Sequence, residues 1–235
     1  IGVRGGWMIE WFTNHSLLLL LAAATITSIC WLFQANGRLN FKSWQVVTLG
    51  VAHTCLGVLA VKAFAIIEGF GDLSVVGNMS LFGGMALLPI FYGTLARKGH
   101  RDTRDVFDVL TMSLVMTLFF ARINCIISGC CIGAFIPGTG LRWPTRELEM
   151  AYDAVFLAIC IPRVYRGEMR GQMFPLYMVS YGVFRFITEF LRVSAVSAGA
   201  FHIAHLWAGI AVVLGASILV EMRQQTDRKE RKVRV

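Results

Sequence analysis

Three runs of this 235-residue chain place polar side chains in otherwise apolar surroundings. The first is "ARINCIISGCC", residues 121–131, directly behind the apolar "VLTMSLVMTLFF". It carries Arg122, Asn124, Ser128 and the thiols Cys125, Cys130 and Cys131. The second places Arg146, Glu149 and Asp153 at helical spacing, and the third does the same with Tyr181, Arg185, Glu189 and Arg192. At 3.6 residues per turn, each of the last two sets lies along one helix face. The arginines exceed the local carboxylates, so simple pairing of Arg185 with Glu189 and Arg146 with Glu149 could account for one stripe but leaves cationic charge over. Surplus arginine wants an anion, and the planar guanidinium fork suits two oxygens of a phosphate.

The elements that must position these residues are membrane helices. The chain is 56% hydrophobic and 15% charged, with a mean hydropathy of +0.64, and its apolar residues fall in long blocks. Seven blocks read as spans: 16–34, 45–67, 79–96, 106–128, 146–164, 172–191 and 204–222. Their lengths suit roughly 30 Å of hydrocarbon at 1.5 Å per residue. The expected fold is therefore an all-α integral membrane protein, a single seven-span domain over 1–235 with a basic tail at 223–235. The N-terminal stretch lacks the ordered features of a removable signal peptide, so none is expected.

The net charge of +8 does not indicate nucleic acid, because the basic residues lie between apolar blocks and in the tail. Arg38 and Lys42, the group Arg97, Lys98, Arg101 and Arg104, the group Arg163, Arg166 and Arg170, and the tail all fall on one side if the C-terminus is inside. The positive-inside bias thus predicts N-out, C-in. Most of the basic residues that break the rule, among them Arg122, Arg142, Arg146, Arg185 and Arg192, then fall in the outer half of the membrane or at its outer face. Charges within spans are costly and face a bundle interior. The three stripes therefore imply a shared cavity open to the outer side, where the abundant anion is a phospholipid head group. Glycines in "GNMSLFGG", residues 77–84, permit close backbone approach.

Four of these motifs, in order, resemble the bacterial prolipoprotein diacylglyceryl transferases. "ARINCIISGCCIG" is similar to that family's signature of Arg, Asn and Gly-x-x-x-Gly. "RWPTRELE", 142–149, resembles its Arg-His-Pro-Ser-Gln-Leu-Tyr-Glu stretch, and "YGVFRFITEFLR", 181–192, its Tyr-Gly-x-x-Arg-x-x-x-Glu-x-x-Arg stretch. "GNMSLFGG" resembles its Gly-Gly-Met-Ser-Phe-His-Gly-Gly segment. The resemblance implies seven spans and transfer of diacylglycerol from phosphatidylglycerol to the lipobox cysteine of a precursor. It also implies a multi-pass protein of the bacterial cell membrane whose active site faces the extracytoplasmic side. Departures are specific. Phe82 stands at the family's His, Cys125 at its signature Asn with Asn124 adjacent, and only "AFIPGTGL", 134–141, occupies the place of its extracytoplasmic head.

In the reaction so implied, a thiol attacks the glyceryl carbon that bears the phosphate. Arg122 and Arg185 would hold that phosphate and stabilise the leaving charge, with Glu189 orienting Arg185. Glu149, Glu189, His202 and His205 are candidates for taking the thiol proton. Tyr181, Arg142, Arg192, Asn124, Ser128, Gly129, Gly133, Gly83 and Gly84 are expected around the lipid. No cofactor is expected, and no metal, since the cysteine spacing fits no zinc pattern and histidines at ligand spacing are missing. Cys125, Cys130 and Cys131 read as thiols packed at a tight turn, as a strained bridged pair, or as a thiol carrying the lipid in two steps. Two rival functions remain at this stage: the same donor with a small-molecule, glycan or lipid acceptor, and a non-catalytic lipid-binding protein.

Overall fold

The computed structural model describes residues 6–68, 80, 82–193, 197–198 and 201–233. Within these the chain is almost wholly helical. The order is α1 (Gly6–Gln34), the single turn α2 (Asn36–Leu39), α3 (Ser43–Glu68), α4 (Phe82–Lys98), α5 (Thr103–Ser128), α6 (Thr145–Tyr165), α7 (Met173–Glu189), a two-residue hairpin of β1 (Ser197–Ala198) and β2 (Phe201–His202), and α8 (Ile203–Val233). Residues 77–79 and 81 of the "GNMSLFGG" stretch lie outside the described residues. Helix α8 runs on through the basic segment 223–235 as far as Val233.

Among the described residues, four segments are long and apolar enough to cross a membrane: Thr13–Gln34, Ser43–Glu68, Thr103–Ser128 and Ile203–Thr226. Of the others, α4 and α7 are 17 residues each, and α6 carries Arg146, Glu147, Glu149 and Asp153 in its N-terminal half. Large apolar side chains such as Leu18, Ile26, Leu59, Ile90 and Val213 point outward, which suits a lipid-facing rather than a water-facing surface.

Helix α5 is the axis of the bundle. Asp102 caps its N-terminus by accepting from the Arg104 amide at 2.9 Å, and Gly129 ends it in the left-handed conformation at φ 69°. Most residues from Asp105 to Leu118 are buried. Helices α1, α4 and α6 pack against it, and the Trp31 indole donates to the Val109 carbonyl at 2.9 Å. Gly83 lets α4 lie directly on α3: a Cβ there would stand 2.3 Å from the Ala60 carbonyl oxygen.

The loops sort into two ends. At one end, Arg101 donates to the Asn40 carbonyl, and Gly171 touches both Arg104 and Met222. The basic connections after α1, α4 and α6 and the C-terminal half of α8 therefore gather together. At the other end, the segment after α5 runs antiparallel to the chain after α7. Ala134 donates to the Leu191 carbonyl at 2.8 Å, and Val193 to that of Ile132 at 3.3 Å.

Candidate functional site

Arg122, Arg185 and Arg192 meet at Glu149, while Asn124, Arg146 and Asp153 of the same stripes have other partners. The Glu149 carboxylate is fully buried on α6. It receives Arg122 from α5, Arg185 from α7 at 2.7 Å and Arg192, just past α7, at 2.8 Å. The Tyr181 hydroxyl donates to Glu149 Oε2 at 3.4 Å and accepts from Arg122 Nη2 at 3.4 Å. Arg185 also bridges to Glu189 at 2.6 Å, one turn along the same helix. Glu189 in turn meets His202 at 3.3 Å. Three guanidiniums thus share two buried carboxylates, and burial is where charge interacts most strongly.

Local sequence explains why each side chain reaches this point. Tyr181, Arg185 and Glu189 recur every fourth residue on α7, and all three are buried. Arg192 lies beyond the helix but is held back toward the site, because its backbone pairs with Gly133 in an antiparallel bridge. Gly133 must be glycine for that strand-like turn to close, since a Cβ would stand 2.1 Å from the Trp143 carbonyl oxygen. Arg122 is 4% exposed, and its Nε is buried without a hydrogen-bond partner among the described residues.

The other expected residues distribute around this core. Asn124 turns away from the arginines and accepts from Ser16 of α1 at 3.0 Å, as the roughly 200° between it and Arg122 requires. Arg146 does not pair with Glu149; it meets Glu147 at 3.6 Å and donates to the Cys125 carbonyl at 3.4 Å. Asp153 accepts from Tyr177 at 3.2 Å. Arg142 donates to the Gly133 carbonyl at 3.0 Å and stacks over Phe135 at 3.8 Å. Gly83 and Gly84 are buried at helix contacts, Gly84 against Leu114. Phe82 packs its ring 6.4 Å from that of Tyr181. His205 accepts from the His202 amide at 3.0 Å.

The thiols form a second group beside the first. Gly129 reverses the chain after α5, and Cys131 is itself in the left-handed region at φ 57°. The reversal folds Cys130 and Cys131 back onto Cys125, so that the three sulfurs lie within 4.8 Å of one another. Ser128 donates to the Asn124 carbonyl at 2.8 Å, and its oxygen lies 3.3 Å from Cys130 Sγ. The Cys131 thiol is held below the ordinary thiol range, first by its hydrogen bond with Cys125 and then by the Arg192 and Arg122 guanidiniums.

Two apolar grooves run along the bundle. One, between α1, α3, α4 and α5, is lined by Leu17, Leu21, Val58 and Leu118 and is bordered by Lys62 and Asn124. The other, between α3, α4, α7 and α8, is lined by Phe64, Phe82, Met178 and Trp207. The arginines on Glu149 line neither of them.

The family model for prolipoprotein diacylglyceryl transferase matches residues 8–221. The chain is similar to the phosphatidylglycerol–prolipoprotein diacylglyceryl transferase of Clostridium tetani, at 21% identity over 74% of this chain and 78% of the relative. It is similar to that of Campylobacter hominis at 24% identity over 95% and 91%, and to that of Nitratidesulfovibrio vulgaris at 30% over 59% and 56%.

Proposed function

The chain belongs to the prolipoprotein diacylglyceryl transferase family, and on that premise we propose that it transfers diacylglycerol from phosphatidylglycerol to the cysteine thiol of a lipoprotein precursor. The observation that carries the reading is the trio Arg122, Arg185 and Arg192 gathered on Glu149. A phosphodiester is the anion such a planar, multi-donor site matches. The two grooves suit acyl chains, and they open from the same bundle.

The roles follow from the contacts. Glu149 has both oxygens committed to guanidiniums, so it positions them rather than takes a proton. Arg185 spans Glu149 and Glu189 through both Nη atoms, which fixes its plane. Arg122 keeps its Nε for the ligand, and Arg192 gives Glu149 only Nη1. The acceptor sulfur attacks the glyceryl carbon, the carbon–oxygen bond to phosphate breaks, and glycerol phosphate leaves with the electron pair. The arginines stabilise the charge that grows on the leaving oxygen. Tyr181 supports the pairing of Arg122 with Glu149. Ser128 and the Gly129–Gly133 turn border the glyceryl group, with Arg142 beside that turn.

The same reading takes the seven helices of 17 or more residues as spans of a bacterial cell membrane, N-out and C-in. The grouping of the basic connections and the distal half of α8 at one end supports that orientation. It puts the arginine site at the extracytoplasmic end, where secreted precursors arrive. The test is reconstitution of the protein in phosphatidylglycerol vesicles carrying a labelled diacylglycerol moiety, with a lipobox peptide. Label transferred to the peptide cysteine is the expected result. Label released without any peptide adduct contradicts the acceptor, and no release contradicts the donor.

A further inference from the structure

We propose that Cys125, Cys130 and Cys131 form a zinc site whose open fourth position takes the acceptor thiol. The proposal rests on the transferase reading above and deepens it by naming how the nucleophile is activated. Linear spacing gives no hint of such a site. It exists only because the left-handed residues Gly129 and Cys131 turn the chain back on α5. The three sulfurs already lie within 4.8 Å of one another, and all three are free. Tetrahedral zinc with Zn–S bonds of about 2.3 Å needs sulfurs about 3.8 Å apart, which small side-chain rotations supply.

Ser128 Oγ lies 3.3 Å from Cys130 Sγ. The backbone is pinned from the first turn of α6: Thr145 donates to the Cys131 carbonyl at 3.2 Å and Arg146 to that of Cys125 at 3.4 Å. Cys130 is exposed while its two partners are half-buried. The fourth coordination position therefore faces outward, where an exogenous ligand can enter. Three protein ligands and one exchangeable position are the pattern of a catalytic rather than a structural zinc.

Such a device removes the thiol proton without drawing on Glu149 and Glu189, the carboxylates of the arginine cluster, which are both held by cations. A thiol bound to zinc loses its proton outright. In the proposed step the precursor thiol displaces water from zinc and its proton passes to solvent. The zinc-bound sulfur then attacks the glyceryl carbon, the new carbon–sulfur bond forms as the carbon–oxygen bond breaks, and glycerol phosphate departs beside the arginines. The thioether product, a weak ligand, leaves the metal. The cluster itself is not alkylated, which would make a dead-end thioether.

Cobalt(II) titration of the reduced full-length protein in detergent tests the site without requiring turnover. One equivalent should bind, with a thiolate-to-metal charge-transfer band. Cys130→Ser, at the exposed ligand where folding is least at risk, should weaken binding at least 100-fold, whereas Cys30→Ser with Cys55→Ser should leave it unchanged. A lipobox peptide should shift the band, and the same peptide with serine for cysteine should not. Absence of a saturable band, or a band indifferent to Cys130→Ser, overturns the proposal. Full-rate diacylglyceryl transfer by protein shown metal-free by elemental analysis overturns it too, with the transferase reading intact. Cobalt binding and a peptide-induced shift without any lipid transfer would instead uphold the site and refute the transferase reading.

Discussion

Two buried charge clusters sit roughly 25 Å apart at opposite ends of α5, at its 1.5 Å rise per residue. They differ in one respect that separates scaffolding from function. At the N-terminal end, Asp105 is gripped by Arg38 and Arg170. Asp108 accepts from Arg38 at 3.1 Å and from the amides of Gly171 at 2.7 Å and Met173 at 3.1 Å. Arg38 spends a further donor on the Val164 carbonyl at 2.8 Å. Two arginines meet three aspartates, since Arg170 also reaches Asp102 at 3.4 Å, and the spare lone pairs of Asp108 tie down the connection into α7. At the C-terminal end, three arginines meet two glutamates and Arg122 retains a buried, unused donor. In the proposed reading the first network holds loops together, and the second takes the phosphate of the donor lipid.

The largest effect should come from disturbing each cluster and reading the activity per folded molecule. Arg185→Ala should lower diacylglyceryl transfer per folded molecule by at least about 100-fold, in addition to the stability lost when buried Glu149 and Glu189 lose a partner. Asp108→Ala should cost stability alone. Removing one partner from a buried ionic network costs about 3–5 kcal/mol, seen as a large drop in melting temperature, with activity per folded molecule retained. A folded Asp108→Ala protein that has lost turnover would erase the distinction between the two ends. Next in size, Arg185→Lys should recover little of the lost activity, because an ammonium cannot span Glu149 and Glu189 as the fork does; recovery to near the original rate would mean that only charge matters there. Smaller still, Ser16→Ala removes a single interhelical hydrogen bond to Asn124 and should cost about 1 kcal/mol of stability, with little change in transfer rate. A loss of turnover on that substitution would move Asn124 from helix packing into the site.

Much of the C-terminal cluster was legible because helical periodicity alone put Tyr181, Arg185 and Glu189 on one face. The grouping of basic residues between apolar blocks likewise marked out the loops that meet at one end. Other parts were not legible, for physical reasons. That Glu149 would serve three arginines depends on how α5, α6 and α7 pack, which no single helix encodes. Arg146, on the expected face of α6, lies in its first turn, where it reaches the carbonyl of Cys125 instead of Glu149. Arg192 falls beyond α7 and returns only through its pairing with Gly133. Asp105 and Asp108 escape notice in sequence because acidic residues in a helix's first turns are ordinary partners of its dipole. The thiol cluster depends on two left-handed residues that join positions of no recognised spacing.

The central claim is that the arginines on Glu149 receive the phosphate of the donor lipid, and a structure of the protein bound to phosphatidylglycerol tests it most directly. The account predicts a phosphate within hydrogen-bonding distance of Arg122 and Arg185, with acyl chains in the grooves lined by Leu17 and Leu118 or by Phe64 and Trp207. A phosphate bound elsewhere, with all three arginines still closed on Glu149, would contradict it and return the cluster to a purely structural role.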